Sequence, residues 1–105
     1  MEPHVVSLKS ISESPFCVDV YDGQQAHEKI ANLLARGERV VISFEGVERL
    51  TTAFLNAAIG QLYNEFPETV IRELISIVDA DASSKDLLRR VTNRAKQFYE
   101  LNKQH

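Results

Sequence analysis

A chain of 105 residues, 44% apolar and 26% charged, has the size and balance of one globular domain, which excludes a disordered polypeptide and a second core. A formal charge of −3 leaves out the global basic footprint with which proteins hold nucleic acid or anionic lipid. Cys17 is the single cysteine, so an internal disulfide and a cysteine zinc site are both excluded, and no apolar run approaches the roughly 18 residues that span a bilayer.

The start of the chain, Met1-Glu2-Pro3-His4, lacks the basic opening and apolar stretch of a secretion signal, which with the lone cysteine predicts a cytoplasmic protein. His4 to Ile11 alternates loosely and is rich in Val and Leu. Phe16, Val18 and Val20 alternate with Cys17, Asp19 and Tyr21. Both stretches are expected to be strands, and the turn residues Ser12-Glu13-Ser14-Pro15 between them predict an antiparallel hairpin, because a parallel pair needs a longer crossover. After Asp22-Gly23, the residues Ala26, Ile30, Leu33 and Leu34 recur at helical spacing until Gly37 supplies a stop. Val40, Val41, Ile42 and Phe44 form a nearly continuous apolar run, expected to be a central strand covered on both faces.

From Thr52 to Phe66 the residues Phe54, Leu55, Ala58, Ile59 and Leu62 share one helical face, and Pro67 closes the helix. Gly60 interrupts it, which costs about 1 kcal/mol relative to Ala and points to a close approach of helix and sheet. Leu74 to Val78 is a further strand, preceded by Glu68 to Glu73 as a helical turn or a loop. Ser83-Ser84-Lys85-Asp86 resembles a capping signal ahead of a long last helix carrying Leu87, Leu88, Val91, Ala95 and Phe98. The expected fold class is α/β in the order β-β-α-β-α-β-α, a mixed sheet whose last three strands are parallel and joined by right-handed crossovers, within one domain spanning residues 1–105.

The stretch Val40 to Leu55, with Phe44-Glu45-Gly46-Val47 at the strand end, then Thr51-Thr52 and Phe54-Leu55, resembles the strand, loop and helix start of STAS domains in anti-sigma-factor antagonists. More closely it is similar to bacterial STAS-like domains of unknown function, marked by an F-x-G-V strand end, a small hydroxyl pair and F-L. The resemblance implies a regulatory domain without catalytic activity that binds a protein, with a kinase-like ATPase or anti-sigma factor as the partner class. In the antagonists the loop carries Asp-Ser-Ser-Gly, whose first serine is phosphorylated. Thr52 falls at the place of that hydroxyl, while the aspartate and the glycine are both replaced. On this basis the contact surface comprises Gly46, Val47, Glu48, Arg49, Thr51, Thr52 and Asn56, with Thr52 and Thr51 as candidate switch residues. No cofactor is implied, and the protein is expected to be a monomer or a homodimer.

Each constellation also has a plainer account. Thr51 and Thr52 stand at a helix N-terminus, where a hydroxyl accepts from an unpaired backbone N–H. A phosphate there adds a charge of about −1.5 to −2 near Glu45 and Glu48. Asp79 and Asp81 follow the last strand, where open α/β sheets bind ligands, and are weak candidates for a Mg²⁺ site or for a small enzyme's acidic centre; capping of the last helix explains Asp81 or Ser83 more simply. From Ser84 to His105 there are six basic residues against two acidic ones. Arg89, Lys96 and Lys103, seven apart, form a stripe that gives the alternative function, a nucleic-acid or nucleotide-binding module, against the commoner solvated helix face.

His4, His27 and His105 are scattered and are expected to be surface residues. Tyr63, Phe66, Phe98 and Tyr99 are expected to pack in the core. Cys17, with no basic neighbour, is expected to be structural. The chain lacks the Gly-x-Ser-x-Gly, Gly-Lys-Ser/Thr and His-Glu-x-x-His motifs of common enzymes.

Overall fold

In the computed structural model, the backbone of residues 2–103 is described, with side chains through residue 100. Lys103 as a side chain and His105 altogether lie outside the described residues. The strands are β1 (His4–Ser7), β2 (Phe16–Cys17), β3 (Val40–Ser43), β4 (Arg49–Leu50) and β5 (Ile75–Val78). The helices are α1 (Leu8–Ser12), α2 (Val20–Ala35), α3 (Thr52–Leu55), α4 (Leu62–Glu65), α5 (Glu68–Leu74) and α6 (Ala82–Lys103), with a π-helical segment, Asn56–Gly60, joining α3 to α4 in one rod.

The sheets correct the expected hairpin and the expected mixed sheet, since every pair is parallel. β3 lies between β1 and β5, with Val6 opposite Ile42 and Ile42 opposite Ile77. β2 does not pair with β1; it pairs with β4 in a separate two-stranded sheet. The reason is local. Ser7 is an N-cap whose hydroxyl accepts from the N–H of Ser10 at 3.2 Å, and Glu13 ends the turn in the left-handed conformation at φ 53°. Residues Leu8–Ser12 therefore coil where a hairpin strand was expected, and Leu8 is fully buried.

The phase of the second strand is also inverted. Cys17 is buried while Phe16 and Val18 are exposed, so the apolar alternation faces water and the thiol faces the core. Asp19 then caps α2 by accepting from the N–H of Tyr21 at 2.9 Å, which starts the helix at Val20 and places Gly23 inside it. At the other end, Gly37, at φ 74°, closes α2 in a Schellman arrangement: its N–H donates to Leu34 C=O and that of Glu38 to Leu33 C=O.

The chain moves in one direction across the order β1-β3-β5, and the right-handed connection that parallel strands favour then puts the helices of both crossovers on one face of the sheet. Burial agrees: Val6, Val40 and Ile42 are buried, whereas Val5 and Ser76 on the opposite face are exposed and Val41 is only partly buried. β3 is central but is not covered on both faces.

The core joins these strand residues to Ala26, Ile30, Leu33 and Leu34 of α2 and to Phe54, Leu55, Ala58, Ile59 and Leu62 of the rod. His27 corrects its expected surface position. It is buried on α2 with Nε2 2.9 Å from Glu65 Oε1, and its Nδ1 has no hydrogen-bond partner among the described residues. Tyr63 and Phe66 pack against the core as expected, but Phe98 is 57% exposed. Gly60 faces Val91 and Ala95 of α6, so the close approach there is of two helices and not of helix and sheet. No helix among the described residues is long and apolar enough to cross a membrane.

Candidate partner-binding surface

The chain leaves β3 through a tight turn in which the N–H of Val47 donates to Phe44 C=O at 3.1 Å. Gly46 takes φ 78° at its third position, where an L side chain would be strained, and the Lys9 stem lies across it. The following residues are strapped down by β2. The N–H of Glu48 donates to Pro15 C=O at 2.8 Å, and that of Thr51 to Cys17 C=O at 3.2 Å. The loop before the helix is therefore held to the β2 segment by hydrogen bonds at both ends of β4.

The two threonines divide the work that the sequence assigned to either. Thr51 is the N-cap of α3: its hydroxyl accepts from the N–H of Phe54 at 3.2 Å and donates to Val18 C=O at 3.3 Å. Thr52 is the first helical residue; it is exposed, and its side chain makes no hydrogen bond to protein among the described residues. Gly46, Glu48, Arg49 and Asn56 are exposed as well, whereas Val47 packs against the core and Thr51 is partly buried.

The start of α6 completes this surface. Val47, Glu48 and Arg49 face Asp81, Ser83 and Ser84 across a polar cleft. Thr52 and Asn56 share a second cleft with Leu87, Arg90 and Arg94. Arg90 and Arg94 were not among the expected contact residues. Their spacing of four beside Leu87 and Val91 puts them on one helical side, but only the packing of α6 against the rod brings them to Thr52. Arg90 is held by Asp86 at 2.9 Å, while Arg94 makes no ion pair among the described residues.

Asp81 caps α6: its Oδ1 accepts from the N–H of Ser84 at 2.7 Å, and this bond, followed by one from the Ser84 side chain, holds the carboxyl below its ordinary range. Asp79 takes a left-handed φ of 61° and lies 3.5 Å from the Ser43 hydroxyl. Among the described residues no three His, Cys, Asp or Glu side chains converge on a point that could hold a metal ion.

The basic stripe is largely compensated. Arg89 is paired with Asp86, and Lys96 lies 3.1 Å from Glu68 with its ammonium over the Tyr63 ring. Glu68 also takes Arg72 at 2.6 Å, and Lys96 and Arg72 together hold its carboxyl below the ordinary range.

A parallel α/β module with its helices on one face, presenting a strapped loop and a helix start to solvent, is the class of protein these features define. The family model of the STAS-like domain of unknown function (DUF4325) matches residues 22–85, from α2 to the first turn of α6. The chain belongs to this STAS-like family. No curated protein and no solved structure matches it.

Proposed function

We propose that the chain is a non-catalytic regulatory module of the cytoplasm that binds a protein partner through the surface centred on Thr52, as an anti-sigma-factor antagonist does. The partner class is a kinase-like ATPase or anti-sigma factor. The observation that carries this reading is the division between the threonines: Thr51 supplies the cap, and Thr52 is left exposed beside Asn56, Arg90 and Arg94. A hydroxyl needed only for folding would be engaged.

A phosphate on Thr52 would add about two negative charges at a helix start and beside two guanidinium groups. It would draw Arg90 and Arg94 toward itself and change the charge that a partner meets, without unfolding the domain. The test is affinity capture from the native cell with wild type, Thr52→Ala and Thr52→Glu. Capture of an ATPase by wild type and Thr52→Ala, lost with Thr52→Glu, is expected. Equal capture by all three, or persistent absence of phosphate from both threonines by mass spectrometry, removes the switch. The nucleic-acid reading is less well supported, because the partners of Arg89 and Lys96 already balance much of the charge it needs.

A further inference from the structure

Beyond Asn56 the seam between the rod and α6 opens into a groove of about 500 Å³. Its lining includes the small residues Ala53, Ala57 and Gly60, spaced i, i+4 and i+7 along the rod, with Ala95 of α6; Val20 and Phe98 stand among its larger groups. Val20 is 45% exposed, Phe98 57%, and Tyr21 beside Val20 66%. The Phe98 ring is braced edge-to-face by Tyr99, with centroids 5.0 Å apart. Aromatic and aliphatic groups left in water around a concave apolar site mark a binding surface.

The groove also has a charge. Among the described residues Arg94 is the charged side chain that lines it, makes no ion pair, and is joined there by no carboxylate. Arg94 borders the adjoining cleft of Thr52 and Arg90 as well, so the groove is positive at its end toward Thr52. The lining residues come from the helices and the Gln61 turn within the rod, and none from a strand, which leaves no strand edge for an extended peptide to pair with.

The geometry points to this groove as the docking site for an acidic amphipathic helix of a partner protein. The small residues run for about two turns, or roughly 10 Å. Their spacing leaves a channel into which apolar side chains at i, i+3, i+4 and i+7 of a second helix fit as ridges into grooves. A carboxylate on the flank of that helix meets Arg94. This inference rests on the reading that the chain binds a protein, and deepens it by naming the segment that is gripped.

The experiment is a titration of ¹⁵N-labelled protein with a synthetic amphipathic peptide of about 18 residues, Leu on one face and Glu on its flanks, and with a twin in which Lys replaces every Glu. The acidic peptide is expected to shift the amides of Ala53, Ala57, Gly60, Ala95 and Phe98 and to bind about tenfold more tightly than its twin. Arg94→Glu reverses that order, and Phe98→Ala weakens the acidic peptide about tenfold. Both side chains are exposed, so the thermal unfolding of the variants should match wild type. Equal affinity for the two peptides, no shifts at saturating peptide, or the same shifts on concentrating the protein alone, which would make a second copy the occupant, overturns the inference. The titration involves neither the native partner nor Thr52, so it can fail while Thr52→Glu still blocks capture, and the reverse.

Discussion

Gly23 of α2 lies so close to Phe54 of α3 that a β-carbon on it would stand 2.7 Å from the Phe54 carbonyl oxygen and 2.8 Å from Ala57 Cβ. Backbone cannot yield as a flexible side chain does, so Gly23→Ala must push α2 and the rod apart. The expected loss is about 1–3 kcal/mol in urea unfolding. Gly60→Ala is the contrast: its nearest neighbour is the exposed Asn56 side chain at 3.3 Å, and the change should be neutral or stabilising by up to about 1 kcal/mol. An equal loss from both would show that helix spacing does not depend on Gly23.

The division between Thr51 and Thr52 has its own stability signature. Thr51→Ala removes the acceptor for the Phe54 N–H and is expected to cost about 1 kcal/mol, with Thr51→Ser recovering most of it. Thr52→Ala should leave the unfolding midpoint nearly unchanged. If Thr52→Ala were the more damaging change, Thr52 would be holding the fold and could not be the free hydroxyl of the surface.

Burial pushes the Cys17 thiol up, with the nearby charge of Asp22 adding slightly; a hydrogen bond donated by the Ser12 hydroxyl, at 3.6 Å, acts the other way. The thiol is therefore neutral at physiological pH and shielded. Labelling by a disulfide reagent in native buffer should be slow and should accelerate with denaturant in step with unfolding. Rapid labelling of the folded protein would contradict the inward phase of Cys17.

Asp81 links stability to acid. The N–H and hydroxyl of Ser84 bind its ionised form and lower its folded pKa below the unfolded value. The cap's contribution is thus complete above the ordinary carboxylate range and is lost as pH falls through the folded pKa. Asp81→Asn keeps an acceptor for Ser84 but does not titrate, so its urea midpoint should fall less than that of wild type on acidification. Parallel acid profiles for the two proteins would remove Asp81 as a source of the pH dependence.

Much of the fold could be read where periodicity is long. α2, the rod and α6 follow from apolar spacing over many residues, β3 from its continuous apolar run, and Gly37 and Pro67 end their helices as their chemistry requires. β4 could not be read, because two residues, Arg49–Leu50, carry no period. The partners of β1 and β2 depended on contacts more than thirty residues distant, while Ser7 and Asp19 each supplied a helix cap in a stretch that also suited a strand. Of the candidate surface, the threonine pair was legible as a helix start, but which hydroxyl caps was decided by the turn of chain between Leu50 and Phe54.

The amino-acid sequence by itself determined that an apolar strand runs through Val40, Val41 and Ile42, that a helix starts at the threonines, and that Gly37 and Pro67 end helices, because each is a local choice of backbone conformation. Tertiary structure alone decided that β1 pairs with β3 and β2 with β4, both parallel, that Thr52 faces Arg90 and Arg94, and that Val20 and Phe98 border one groove. Those relations join segments far apart in the chain, which come together only when the strands pair and when α2 and α6 pack against the rod at Ala57 and Gly60.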